Sequence, residues 1–159
     1  MRVEYINPFV EATVNVLKQY LGPVVKRGNL YLKSTSRQIM GVAALVGLAG
    51  DVEGRVLLDM TKDTALAVAS IMNGEEMKVL DEMVKATITE LANQITAQAI
   101  SNLYQANYRF DLTPPTIFTG DNMVITNNLN VEALIVPVEL GNNGENGKIE
   151  INVVIREKM

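Results

Sequence analysis

One stretch constrains the fold more than any other. Leu80–Gln105, LDEMVKATITELANQITAQAISNLYQ, lies inside the longest part of the chain free of glycine and proline. Its apolar positions recur at helical spacing: Leu80, Met83, Val84, Thr87, Ile88, Leu91, Ile95, Ala99 and Leu103. At about 100° per residue they fall on one broad side, which predicts a long helix packed on a core. The opposite side carries Ala86, Glu90, Asn93 and Ala97 at offsets of four, three and four. A carboxylate and a carboxamide thus stand about a turn apart on an outward stripe. Their neighbours on that stripe are alanines, where a solvated face would hold lysines and glutamates. The stripe reads as cleared for docking.

The rest of the composition mostly excludes. With 159 residues, one domain spanning 1–159 and one ordinary core are expected. Hydrophobic residues at 48% and charged ones at 20% belong to a globular chain, neither disordered nor fibrous. A net charge of -4, with no basic run longer than Lys26–Arg27, argues against a nucleic-acid partner. Cysteine and histidine are both absent. Thiol chemistry, the commonest metal ligand and the commonest general base go with them. Chemistry is left to carboxylates, amides, hydroxyls, lysines and water, and no metal site is expected. Asp51 and Glu53 in a glycine turn, and the lone acid Glu145 in the Gly141–Gly147 loop, read as solvated. The eight methionines read as core filler, not as a binding stripe. MRVEYINPF lacks the pattern of a signal peptide, and the longest apolar run, Gly41–Gly50, is too short to cross a bilayer. A cytoplasmic protein without membrane insertion is expected.

Taken in order, Asn7-Pro8 predicts a helix start, with Asn7 as cap, and Gly22-Pro23 its stop. Lys26–Gly28 reads as a turn and Leu30–Ser36 as a short edge strand. Met40–Ala49 and Arg55–Met60 form a hairpin across a glycine-flanked turn. Thr61 caps a helix over Thr64–Met72, which Asn73-Gly74 ends. After the long helix come Tyr108–Leu112, a double-proline kink at Pro114-Pro115, Ile117–Thr119, and a short strand at Met123–Thr126. Val131–Leu140 and Lys148–Arg156 close the chain as two long strands. Pro137 inside the first of these predicts a bulge or a position that donates to no ladder. The order predicts an α+β fold: a largely antiparallel β-sheet of about six strands with three helices, one long helix presenting the site.

Glu90-Leu91-Ala92-Asn93 lies on the long helix, and Asp111-Leu112-Thr113-Pro114-Pro115 follows it. The Gly41–Met60 hairpin and the Thr64–Gly74 helix, ending Met-Asn-Gly, precede it. On these residues and this order the chain resembles the CheC/CheX/FliY family of chemotaxis phosphatases, most closely its CheX branch, over nearly its whole length. The resemblance implies a CheC-like fold and hydrolysis of the aspartyl phosphate of a CheY-like response regulator. Glu90 matches the family's glutamate, which would pair with a lysine of the regulator. Asn93 matches its asparagine, which would orient the attacking water. Ala86, Ala97, Pro114 and Pro115 are the implied partner-binding positions. No cofactor of the chain's own is implied, since the regulator would supply Mg²⁺. A homodimer through sheet edges is also implied, with Lys148–Arg156 as a strand that would be a liability if unpaired.

The chemistry fits those residue types. Phosphoryl transfer needs positioning and charge stabilisation more than covalent help. A carboxamide can donate to a phosphoryl oxygen and accept from water, whereas a carboxylate there would repel the phosphate. The chain departs from the family at Ala86, where Asp or Ser is frequent, and at Ala92 and Ala97, where glycine is common. Glu11 and Asn15 in the first helix are spaced by four, not three, so one site per chain is read. The competing expectation is a non-catalytic module on the same scaffold, binding a regulator or serving in flagellar-motor assembly. A structural dimer without a regulator partner is a third.

Overall fold

The structure is a computed structural model that describes residues 3–23, 25–33, 36–126, 131–141 and 147–157. Helix α1 spans Val3–Leu21 and so begins before the predicted Asn7 cap, with Pro8 inside it. Proline removes one backbone donor there, and packing of the preceding turn compensates. Tyr5 in that turn is buried, its ring edge-on to Tyr108 at 5.1 Å, and its hydroxyl donates to Glu157 Oε1 at 2.8 Å.

The first edge of the sheet follows. Lys26 and Arg27, read as a turn, belong instead to β1 (Val25–Arg27), and β2 (Tyr31–Lys33) comes next. Both pair with β9 (Ala133–Leu140). Between Arg27↔Val138 and Tyr31↔Ile135 the register slips, so that 28–30 oppose only 136 and 137. The slip sits on Pro137, whose carbonyl accepts from the Gly28 N–H at 2.8 Å. A residue with no N–H to give is thus placed at a bulge, as the sequence predicts. The segment read as the strand Leu30–Ser36 divides between β2 and β3 (Ser36–Gln38). Most of the Gly141–Gly147 loop, Glu145 included, lies outside the described residues.

The hairpin forms as predicted, from β4 (Val42–Gly50) and β5 (Val52–Met60); their mutual pairing ends at Leu48↔Gly54, and Gly50 lies in the connection at φ +107°. Thr61 caps α2 (Lys62–Asn73) by accepting from the Thr64 N–H at 3.1 Å, and Gly74 closes it in the left-handed region. Asp81 caps α3 (Glu82–Gln105) by accepting from the Val84 N–H at 3.0 Å. Beyond α3, β6 (Phe110–Leu112) and β7 (Thr116–Thr119) both pair with β4 and form the second edge. Here too the register slips, residues 113–115 facing only 46 and 47. Pro114-Pro115 therefore occupies a second bulge. Thr113 anchors it: its N–H donates to the Gly47 carbonyl, and its Oγ1 accepts from the Gly47 N–H at 2.8 Å.

The last strand, β10 (Gly147–Glu157), lies between β9 and β5. This corrects the expectation that Lys148–Arg156 offers an open edge. It is central and paired on both sides. The main sheet has eight strands, two more than expected, because each edge position is filled by two short strands split at a proline-marked bulge. A separate two-stranded sheet joins β3 to β8 (Val124–Thr126).

The largest core lies where the three helices meet one face of the sheet. Ile88, Leu91, Ile95 and Leu103 of α3 are fully buried there against Val42, Ala44 and Val46 of β4 and their neighbours. Burying each such side chain stabilises by about 2–3 kcal/mol. These four residues fix the rotation of α3 about its axis, and that rotation decides what the helix shows to solvent.

Candidate functional site

With α3 held by its inner face, its outer face presents Ala86, Glu90 and Ala97 exposed and Asn93 half-buried. Glu90 and Asn93 are three residues apart, so their Cβ atoms lie about 5–6 Å from one another. Glu90 Oε1 accepts a hydrogen bond from Gln94 Nε2 at 2.8 Å. Among the described residues the Asn93 carboxamide has no partner, so both its donor and its acceptor ends are open. Ala92, beside it, is only 2% exposed. Its methyl therefore belongs to the core and not to the docking stripe.

The structure brings Glu90, Asn93, Ala86 and Ala97 onto one helix face. It does not put Pro114 and Pro115 there. They stand in the sheet layer, at the bulge between β6 and β7, with Pro114 exposed and Pro115 half-buried. Their strand flanks the helix, since α3 packs on β4, β5 and β7.

Two outer-face residues escape the sequence reading. Met83, expected on the buried side, is 54% exposed, and Tyr104 is 57% exposed. Projected at about 100° per residue, both fall within about 40° of Glu90. The angular signal was available, but an apolar side chain at helical spacing is read as core by its type. Arg109 lies over the Tyr104 ring, its Cζ 4.4 Å from the centroid.

Among the described residues no three acidic side chains are placed to share a metal ion. Asp51 accepts from the Arg109 N–H at 3.2 Å. Glu53, expected to be solvated, is paired with Arg156 across the sheet. A cavity of about 360 Å³ opens on the sheet face away from the helices, lined by Ile39, Phe118, Met123, Val124 and Ile125. Among the described residues its lining holds no titratable group. Among the described residues, no helix is long and apolar enough to cross a membrane.

Comparison with known proteins gives the family and the fold. A family model described as chemotaxis phosphatase CheX matches residues 42–139, a span that holds all of α3 and the prolines of both bulges. The chain is 27% identical over 126 residues to the CheY-P phosphatase CheX of Thermotoga maritima, covering 79% of this chain and 81% of that one. It is similar to the solved CheX-CheY-BeF3-Mg²⁺ complex from Borrelia burgdorferi at 41% identity and a TM-score of 0.85, over 98% of this chain and 100% of the other. A CheC-like superfamily protein from Shewanella sp. PV-4 matches with a TM-score of 0.86 at 27% identity, over 98% and 99% of the two chains.

Proposed function

The chain belongs to the CheX family of chemotaxis phosphatases, and from that premise we propose that it hydrolyses the aspartyl phosphate of a CheY-like response regulator with Glu90 and Asn93. The observation that carries the reading is the open carboxamide of Asn93 one turn from Glu90, on the exposed face of α3. Asn93 Oδ1 accepts from the attacking water, and its Nδ2 donates to a phosphoryl oxygen. The water adds at phosphorus as the acyl–phosphate bond breaks, releasing inorganic phosphate and the regulator's free carboxylate. Glu90 pairs with a lysine of the regulator and holds the two proteins in register. Positioning of this kind supplies most of what phosphoryl transfer asks of a protein. Mg²⁺ comes with the regulator, in keeping with its presence in the complex of the Borrelia burgdorferi relative. Ala86, Ala97, Pro114 and Pro115 complete the contact surface. The reaction is cytoplasmic, residues 1–159 act as one domain, and the working unit is a homodimer.

A second reading draws on Ala86, which leaves no polar side chain a turn before Glu90. In that reading the chain holds a regulator, or serves in motor assembly, without hydrolysis. Phosphate release separates the two. Wild type, Asn93→Ala and Glu90→Ala are compared on phosphorylated regulator with Mg²⁺. Wild type is expected to accelerate release. Asn93→Ala should lower kcat about 100-fold or more, and Glu90→Ala should mainly raise KM. Tight binding by wild type with no acceleration would leave only the second reading standing.

A further inference from the structure

We propose that Met83 and Tyr104 are contact residues for the response regulator, marking the two ends of one docking surface centred on Asn93. The proposal rests on the phosphatase reading and extends it to affinity. Along the outer face of α3 the exposed positions run Met83, Ala86, the hydrogen-bonded Glu90 and Gln94 with Asn93 beside them, Ala97 and Tyr104. One alanine on each side separates the working pair from an exposed apolar or aromatic side chain. A partner surface that reaches Asn93 passes over the alanines and meets Met83 at one end and Tyr104 at the other.

The dimensions agree. At about 1.5 Å per residue, Met83 lies about 15 Å from Asn93 along the axis, and Tyr104 about 16 Å on the other side. A standard interface buries about 800 Å² on each partner, a patch about 30 Å across. Centred on Asn93, such a patch ends at these two side chains. Met and Tyr are also residue types enriched at interfaces.

Neither residue is exposed for want of a better place. The inner positions of the same turns, Val84 and Leu103, are fully buried, so the helix separates the two pairs deliberately by angle. Tyr104 is held ready: Arg109 covers one ring face at 4.4 Å. The Arg109 backbone is held at Asp51: its carbonyl accepts from the Asp51 N–H at 3.1 Å, and its N–H donates to Asp51 Oδ2 at 3.2 Å. A ring oriented before binding loses little freedom on docking. The occupant is the regulator and not a second copy, because the surface is continuous with the Glu90–Asn93 pair that must reach the regulator's phosphate.

The test uses the full chain and the CheY-like regulators of the same genome, each loaded with Mg²⁺ and beryllofluoride. Met83→Ala and Tyr104→Ala should each weaken binding about threefold to tenfold and raise KM equally, with kcat unchanged. Met83→Leu and Tyr104→Phe should stay near wild type. Val124→Ala, 63% exposed but on β8, should change nothing. Unaltered regulator affinity in both alanine variants, while Asn93→Ala still abolishes turnover, overturns the proposal and spares the phosphatase. Loss of self-association with regulator affinity intact assigns the face to a second copy and overturns it too. If wild type binds none of these regulators, the extension and the phosphatase reading fall together.

Discussion

Glu90 meets a partner before any regulator arrives. Its Oε1 accepts from Gln94 Nε2 at 2.8 Å, an i,i+4 contact that on an exposed helix contributes about 0.2–0.5 kcal/mol. That is enough to bias the carboxylate's direction and too little to withhold it from a lysine. Substitution at 94 therefore tunes Glu90 without touching Asn93. Gln94→Ala should raise KM no more than about twofold. Gln94→Lys is sharper, because Glu followed four residues on by Lys is the favoured ion-pair orientation, and the new ammonium competes with the regulator's lysine. Its KM at low salt should rise several-fold over wild type with kcat unchanged, and the ratio to wild type should shrink as salt screens the competitor. A ratio of one at low salt would mean that Glu90 engages no cation. The pair itself is legible in the sequence, since period alone sets Glu90 and Asn93 opposite Ile88, Leu91 and Ile95. The Gln94 contact is not, because it is a rotamer choice. Met83 is misread for a different reason: its side-chain type says core while its angle says solvent, and here angle decides.

Both edge positions of the sheet are built alike: two short strands on one partner, split by a one-residue slip, with proline at the slip. Sequence separates β6 from β7 at the double proline but reads β1 as a turn, so the doubling of the first edge is not seen and the strand count exceeds six. It also leaves β10 looking like an edge, since an apolar run carries no mark of how many neighbours it has. The β6–β7 bulge depends on Gly47, not for its backbone angle but for its missing side chain. A methyl there would stand 2.8 Å from Thr113 Oγ1 and 3.0 Å from its Cγ2. Gly47→Ala should cost about 1–2 kcal/mol, lowering Tm by about 3–6 °C. Thr113→Ala in the same chain removes the clashing atoms, so the double variant should recover part of the loss, a non-additivity that thermal melts detect. If Pro114 and Pro115 touch the regulator, the single variant also raises KM. An unchanged Tm in Gly47→Ala would mean that Thr113 does not hold the bulge.

All three helices lie on one face of the main sheet, and α3 turns its working stripe away from it. Any self-association that leaves the stripe free must use an edge or the far face. On that far side Ala43, Leu57, Ile135 and Val154 are already buried within the chain. Tyr31 at 37% exposure stays open at the β2 edge, and Phe118 at 39% and Val124 at 63% stay open together beside the apolar cavity. Next to them β7 has no strand on its outer side among the described residues. The prolines that precede β7 shorten the donor row there, so pairing is confined to a few residues and needs apolar contact to be stable. Phe118 supplies it. The chain is therefore expected to sediment as a dimer of the 17.4 kDa protomer, and Phe118→Asp to shift it to monomer, whereas Met83→Ala and Tyr104→Ala leave it dimeric. A dimer joined on this side keeps both α3 stripes accessible, so it should bind two loaded regulators at equivalent sites in a titration. The Phe118→Asp monomer should keep kcat, because every group assigned to the reaction comes from one chain. Wild type that stays monomeric at tens of micromolar would remove the homodimer. A kcat that falls with dissociation would show that the second copy shapes the site.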